Sequence, residues 1–173
     1  IKFVNAMKKI LVLSDSHGYI DDHIINHAKC SDEIWHAGDI GDIKIIDDLK
    51  KYSLVRAVYG NIDNNIVRKE FHENIFFKCE DVSVFITHIG GYPGKYPKNI
   101  AKKLIKHKPK LFICGHSHIL KIIQDDKFKL LHINPGAIGI IGFHKKRTMV
   151  KFEIDKAEVK NLYVIELGER SKI

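Results

Sequence analysis

With 173 residues, 45% of them hydrophobic and 29% charged, the chain can bury a core without help as one domain spanning 1–173, and no apolar run approaches the length of a membrane span. Its three cysteines, Cys30, Cys79 and Cys114, are odd in number and widely spaced, which fits a reducing cytoplasm better than a disulfide framework. The formal net charge of +8 admits an anionic partner, so composition alone leaves nucleic acid open.

Residues 1–6 lack an initiator methionine, so Met7 is the expected start and 1–6 an unrelated extension, non-native or disordered. Lys8 and Lys9 precede the apolar run 10–13, which is too short for a signal peptide and is cut off by Ser14 and Asp15; it reads as a central strand. Ile20, Ile24, Ile25 and Ala28 recur at helical spacing, with Asp21 and Asp22 placed in the first turn. A strand at 34–37, a helix at 43–51 with Ile45, Ile46 and Leu49 inward, and a strand at 54–59 continue a right-handed parallel arrangement. Strands at 75–79 and 82–86 then flank Glu80 and Asp81 as a hairpin.

Pro97 is suited to open the next helix at its first position. Much of the excess charge lies here, in Lys95, Lys98, Lys102, Lys103, Lys106, Lys108 and Lys110, around an inward stripe of Ala101, Leu104, Ile105 and Lys108. A solvated helix face therefore accounts for the charge better than a nucleic-acid surface does. A buried strand at 111–114 follows. Strand pairs at 120–124 with 127–133, and at 149–154 with 159–167, precede a tail at 169–173 expected to fray. The first half is parallel and the second largely antiparallel. Two packed mixed β-sheets flanked by helices, a four-layer α/β/β/α sandwich, accommodate both.

Five loops repeat one arrangement. Asp15-Ser16-His17, Gly38-Asp39, Gly60-Asn61, Thr87-His88 and Gly115-His116-Ser117-His118 each follow a short apolar run. Ligands of α/β sheets collect at the carboxyl ends of strands, so one sheet edge can gather Asp15, His17, Asp39, Asn61, His88, His116 and His118. Such a cluster is costly unless something positive occupies its centre. Mixed aspartate, histidine and asparagine donors suit manganese, iron, zinc or nickel better than calcium.

These motifs, in this order from about residue 8 to 136, resemble the calcineurin-like metallophosphoesterase superfamily. The short chain and Asn134-Pro135-Gly136 resemble its small bacterial and archaeal phosphodiesterase branch. The resemblance implies two divalent metal ions, manganese first, with iron, zinc, nickel or magnesium also admissible. Asp15, His17 and His118 would hold one, Asn61, His88 and His116 the other, and Asp39 would bridge them, with Asp39 and Asn61 as catalytic residues. It implies a phosphoesterase cleaving a small or nucleotide-like phosphodiester with a metal-bridging hydroxide. The alternatives are a scaffold of the same fold, like the retromer subunit resembling this branch, or a nuclease.

The chain departs from the family pattern twice. Ile62 stands where many relatives have a histidine able to protonate the leaving group, and Ile89 where glycine commonly follows the metal histidine. Asp63 reads as a residue that orients its own loop. His36 reads as a hydrogen-bonded interior residue, and His23, His27, His72 and His107 as surface groups. His132 and His144 could approach the cleft from the late loops, and 90–94 could be a lid or a plain turn.

Overall fold

The computed structural model describes residues 7–170, so the extension expected over residues 1–6 lies outside the described residues. β1 (Lys8–Leu13) is buried on both faces. Ile10 and Val12 join one apolar cluster, while Leu11 and Leu13 join another, the two-residue alternation of a strand sandwiched between layers. α1 (Asp22–Lys29), β2 (Glu33–His36), α2 (Ile43–Lys50) and β3 (Leu54–Ala57) follow as expected. Asp21 is the N-cap of α1, not part of its first turn: its carboxylate accepts from the Ile24 amide at 2.9 Å. Asp42 caps α2 in the same way.

α3 (Asn65–Glu70) was not expected. It buries only Val67 and so has no apolar stripe to detect, but Asn64 caps it by accepting from the amides of Ile66 and Val67. β4 (Asn74–Cys79) and β5 (Val82–Thr87) form the expected hairpin. α4 (Lys98–His107) corrects two expectations. Pro97 is its N-cap and not its first residue, and the helix buries Ile100 and Leu104, whereas Ile105 is 63% exposed. Leu104 faces inward as expected, but its partner is Ile100, one turn earlier, and not Ile105.

β6 (Leu111–Ile113), β7 (Lys121–Asp125) and β8 (Leu130–Asn134) come next; β8 starts three residues later than its pattern suggested, because Asp125 accepts from the Lys127 and Phe128 amides and holds them in a turn. β9 (Lys146–Asp155) and β10 (Glu158–Glu169) close the chain. Glu169 belongs to β10 and pairs with Lys146, so the fraying expected there does not begin at that residue; the tail's last residues lie outside those described.

One sheet has the order β10-β9-β1-β2-β3 and the other β4-β5-β6-β8-β7. β1–β2–β3 and β5–β6–β8 are parallel, and their partners β9, β4 and β7 run antiparallel. The sheets pack face to face around Trp35, Ile86, Ile113 and Phe152. A second cluster includes Ile24 of α1, Leu49 of α2 and Leu13 of β1, and a third includes Leu104 of α4 and Phe112 of β6. These three apolar seams make the expected four-layer sandwich. Both parallel ribbons end at the same edge, and the five loops meet there.

Candidate metal centre

Asp15 and His17 follow β1, Asp39 follows β2 and Asn61 follows β3, so four of the candidates come from the first sheet. His88 follows β5, and His116 and His118 follow β6, so three come from the second. The structure brings all seven together. Five of them have left-handed backbone: Asp15 (φ 54°), His17 (47°), Asp39 (53°), His116 (69°) and His118 (57°). Residues with side chains avoid this region, and its concentration at one spot marks loops bent to aim side chains inward.

Backbone bonds lace the loops together. The Asp15 amide donates to Gly38 O at 3.0 Å, the His17 amide to Asp39 O at 3.0 Å, and the Gly115 amide to His88 O at 2.9 Å. Gly60 and Gly115 allow the closest approaches, since a Cβ at Gly60 would collide with the Asp39 carboxylate and one at Gly115 with the Ser14 hydroxyl.

The donor atoms separate into two groups, Asp15 with His17 and His118, and Asp39 with His88 and His116. In the first, His118 Nε2 lies 3.2 Å from Asp15 Oδ1 and 3.3 Å from His17 Nε2. In the second, His88 Nε2 lies 3.2 Å from Asp39 Oδ1 and 3.1 Å from Asn61 Oδ1. Asp39 faces both, because its Oδ2 is 3.7 Å from His17 Nε2. Asp15, Asp39 and His88 are buried, whereas Asn61 and His116 are exposed, so the cluster opens to solvent on the second side.

The surroundings set which atoms present lone pairs. His88 Nδ1 donates to Ala37 O at 2.8 Å, leaving Nε2 to face the cluster. His144 Nε2 donates to Gly139 O at 3.0 Å, and burial holds this imidazole below its usual pKa, so its Nδ1 is an acceptor. His118 Nδ1, 3.1 Å away, is then the donor, and the neutral imidazole with that proton points its Nε2 lone pair at Asp15. Asp15 Oδ2 accepts from Ser14 Oγ at 2.6 Å and from the His116 amide at 3.1 Å. Asp15 Oδ1 is buried and has no hydrogen-bond partner among the described residues. An orphan carboxylate oxygen facing imidazole lone pairs fits a cation and little else. Burial opposes ionisation of Asp39, but the His88 imidazole 3.2 Å from its Oδ1, the Ile62 amide and His17 hold its carboxyl below the ordinary range.

Other expectations can be placed. His36 is fully buried, with Nε2 2.9 Å from Ser16 Oγ and Nδ1 accepting from the Gly38 amide, and burial lowers its pKa to about 4. Asp63 does more than orient its own loop: it accepts from the Gly60 amide and from the Gly41 amide, each at 2.7 Å, joining two loops of the site. His144 reaches the cluster, as its position in the late loops allowed. His132 lines a cleft beside His116. Arg68, which no pattern singled out, donates to Gly60 O and Asn61 O at 3.1 Å and steadies the Asn61 loop from the unforeseen α3.

Fold and site together define a metal-dependent phosphoesterase. Residues 7–157 match the family model of the calcineurin-like phosphoesterase superfamily domain, and the chain belongs to that superfamily. A probable metallophosphoesterase of Methanocaldococcus jannaschii is 31% identical over 165 residues, which cover 90% of this chain and 81% of that one. An archaeal phosphodiesterase of solved structure superposes with a TM-score of 0.67 at 23% identity, over 92% of this chain and 99% of that chain. Vps29 of Entamoeba histolytica, solved in complex with Zn2+, superposes with a TM-score of 0.71 at 16% identity, over 94% and 99% of the two chains. No helix among the described residues is long and apolar enough to cross a membrane.

Proposed function

We propose that this chain, as a single metallophosphoesterase domain, hydrolyses a small or nucleotide-like phosphodiester with two divalent cations, manganese first. Asp15, His17 and His118 hold one, Asn61, His88 and His116 the other, and Asp39 lies between. The observation that carries the reading is the buried, unpartnered Oδ1 of Asp15, directed at imidazoles whose outer hydrogen bonds turn their lone pairs inward. When bound, two such cations acidify a coordinated water towards neutrality and offset the charge that builds on the phosphoryl oxygens.

The chain's own residues supply the rest. Asp39 presents one oxygen to each half, which is what a shared carboxylate requires. Asn61 offers a neutral oxygen on the exposed side, so an anionic ester can approach without meeting another carboxylate. Ile62 is 46% exposed and has no proton to give, so esters with good leaving groups are favoured. Retention of both Asp39 and Asn61 favours catalysis over the scaffold alternative. Three unpaired cysteines support a cytoplasmic setting.

The test is a hydrolysis screen of mono- and diesters with manganese, iron, zinc, nickel and magnesium, and a chelator control. Manganese is expected to support cleavage of an activated diester and chelation to abolish it. Asp39→Asn should lower kcat on the order of 100-fold or more and cost one of two bound metals by elemental analysis. Unchanged rates in that variant would reject the bridging role.

A further inference from the structure

Two clefts border the solvent-facing side of the cluster. The larger, about 400 Å³, runs from Asn61 and His88 to Arg68, Glu73 and Asn99. The smaller, about 230 Å³, runs from His116 and Ser117 to Tyr92, Lys121 and His132. Ile89 and Pro97 line both. A residue that lines two adjoining cavities is their common partition, and Ile89 follows His88 directly with 47% of its surface exposed. A phosphorus atom seated beside Asn61, His88 and His116 would therefore have a cleft on either hand, divided by an isoleucine side chain.

The clefts differ in chemistry as well as size. Arg68 spends Nε and Nη2 on the carbonyls of Asp63, Gly60 and Asn61, while its Nη1 makes no hydrogen bond among the described residues. With Glu73 and Asn99 it gives the larger cleft both donors and acceptors, as the polar edge of a heterocycle requires. The smaller cleft is lined mainly by apolar surface, with the Tyr92 ring beside the Lys121 ammonium 4.3 Å from its centroid.

We propose that these clefts are unequal subsites for the two arms of one phosphodiester, a nucleoside-sized arm in the larger and a compact, less polar arm in the smaller, with Ile89 as the partition that favours diesters over monoesters. This rests on the phosphodiesterase reading and names its substrate class. A monoester fills one cleft and leaves the other to water.

The test fills each cleft from its exposed rim, with Asn99→Trp in the larger and Ile119→Trp in the smaller, positions where added bulk leaves the core untouched. Kinetics use the manganese-loaded protein and thymidine 5′-(p-nitrophenyl phosphate). Calorimetry uses dibenzylphosphinate, in which carbon replaces both ester oxygens. Each variant should raise KM at least about fivefold with kcat within about threefold, and weaken phosphinate binding to the same degree. If either variant leaves both KM and phosphinate affinity unchanged, the two-subsite arrangement is wrong. If no ester is cleaved with any metal, hydrolysis itself is refuted; phosphinate binding weakened by both variants would then still support the paired clefts, and unweakened binding would overturn them.

Discussion

An imidazole presents a lone pair from one ring nitrogen while the proton sits on the other, and the partner of the protonated nitrogen decides which is which. For His88 that partner is the Ala37 carbonyl, a feature of the strand end that substitution leaves in place. For His118 it is a side chain, His144, itself held by Gly139 O. His144→Phe keeps a ring of similar shape and removes the acceptor. It is expected to weaken metal binding about 10- to 100-fold by isothermal titration with manganese or zinc. His144→Gln, whose amide oxygen can accept from His118 Nδ1, should recover part of the loss. Equal losses in both variants would mean that His144 supplies packing and not a hydrogen bond. The left-handed backbone at five of the seven site residues points the same way: each such residue costs on the order of 1–3 kcal/mol and persists because its neighbours hold it.

At the scale of elements, the amino end of the first sheet is tied by one carboxylate. Glu33, at the start of β2, accepts from Lys8 Nζ of β1 at 2.8 Å, from Arg56 Nε of β3 at 2.8 Å and from the Trp35 indole at 2.9 Å. Burial opposes its charge, but the Arg56, Lys8 and Trp35 hydrogen bonds prevail, so its pKa lies below the ordinary 4.5. A carboxylate shifted down contributes stability that is present above its unfolded value and lost as pH falls through its folded value. Glu33→Gln should therefore cost about 1–3 kcal/mol near neutrality. That gap should narrow in thermal melts below pH 4.5; a gap that stays constant to pH 3 would remove the carboxylate from the account. None of this cluster is legible in the sequence, because Lys8, Glu33, Trp35 and Arg56 come from three strands with no common spacing. The strands of the site were legible, since short, largely apolar runs followed within two residues by Gly, Asp or His mark both the strand and its loop. α3 and the register of α4 were not: one buries a single residue, and the other offers two helical spacings through Leu104, one with Ile100 and one with Ala101 and Lys108. Seven ligand candidates could be found from motifs, whereas His144 and Arg68 act through contacts that only the folded loops create.

At the scale of the molecule, the cluster draws its donors from both sheets, with Asp15, His17, Asp39 and Asn61 from one and His88, His116 and His118 from the other. Cations bound there would fasten the two sheets to each other across the edge where their loops meet. Ligands that bind only the folded state stabilise it by mass action, about 2.7 kcal/mol per site at 100 times Kd. For a chain of this length that is roughly 5–11 °C in melting temperature per site. Manganese should raise the melting temperature and a chelator return it, while equal melts under both conditions would argue against a cluster that holds metal. Asp15→Asn sharpens the test, because the charge that would hold a cation is a burden without one. In the chelated protein the new amide can donate to the His118 Nε2 lone pair, so the variant should melt at or above the wild-type temperature. In manganese the order should reverse, since the variant has lost the anionic oxygen that a cation needs. A variant less stable than wild type by the same margin in both conditions would show that Asp15 is held by its neighbours for the fold alone.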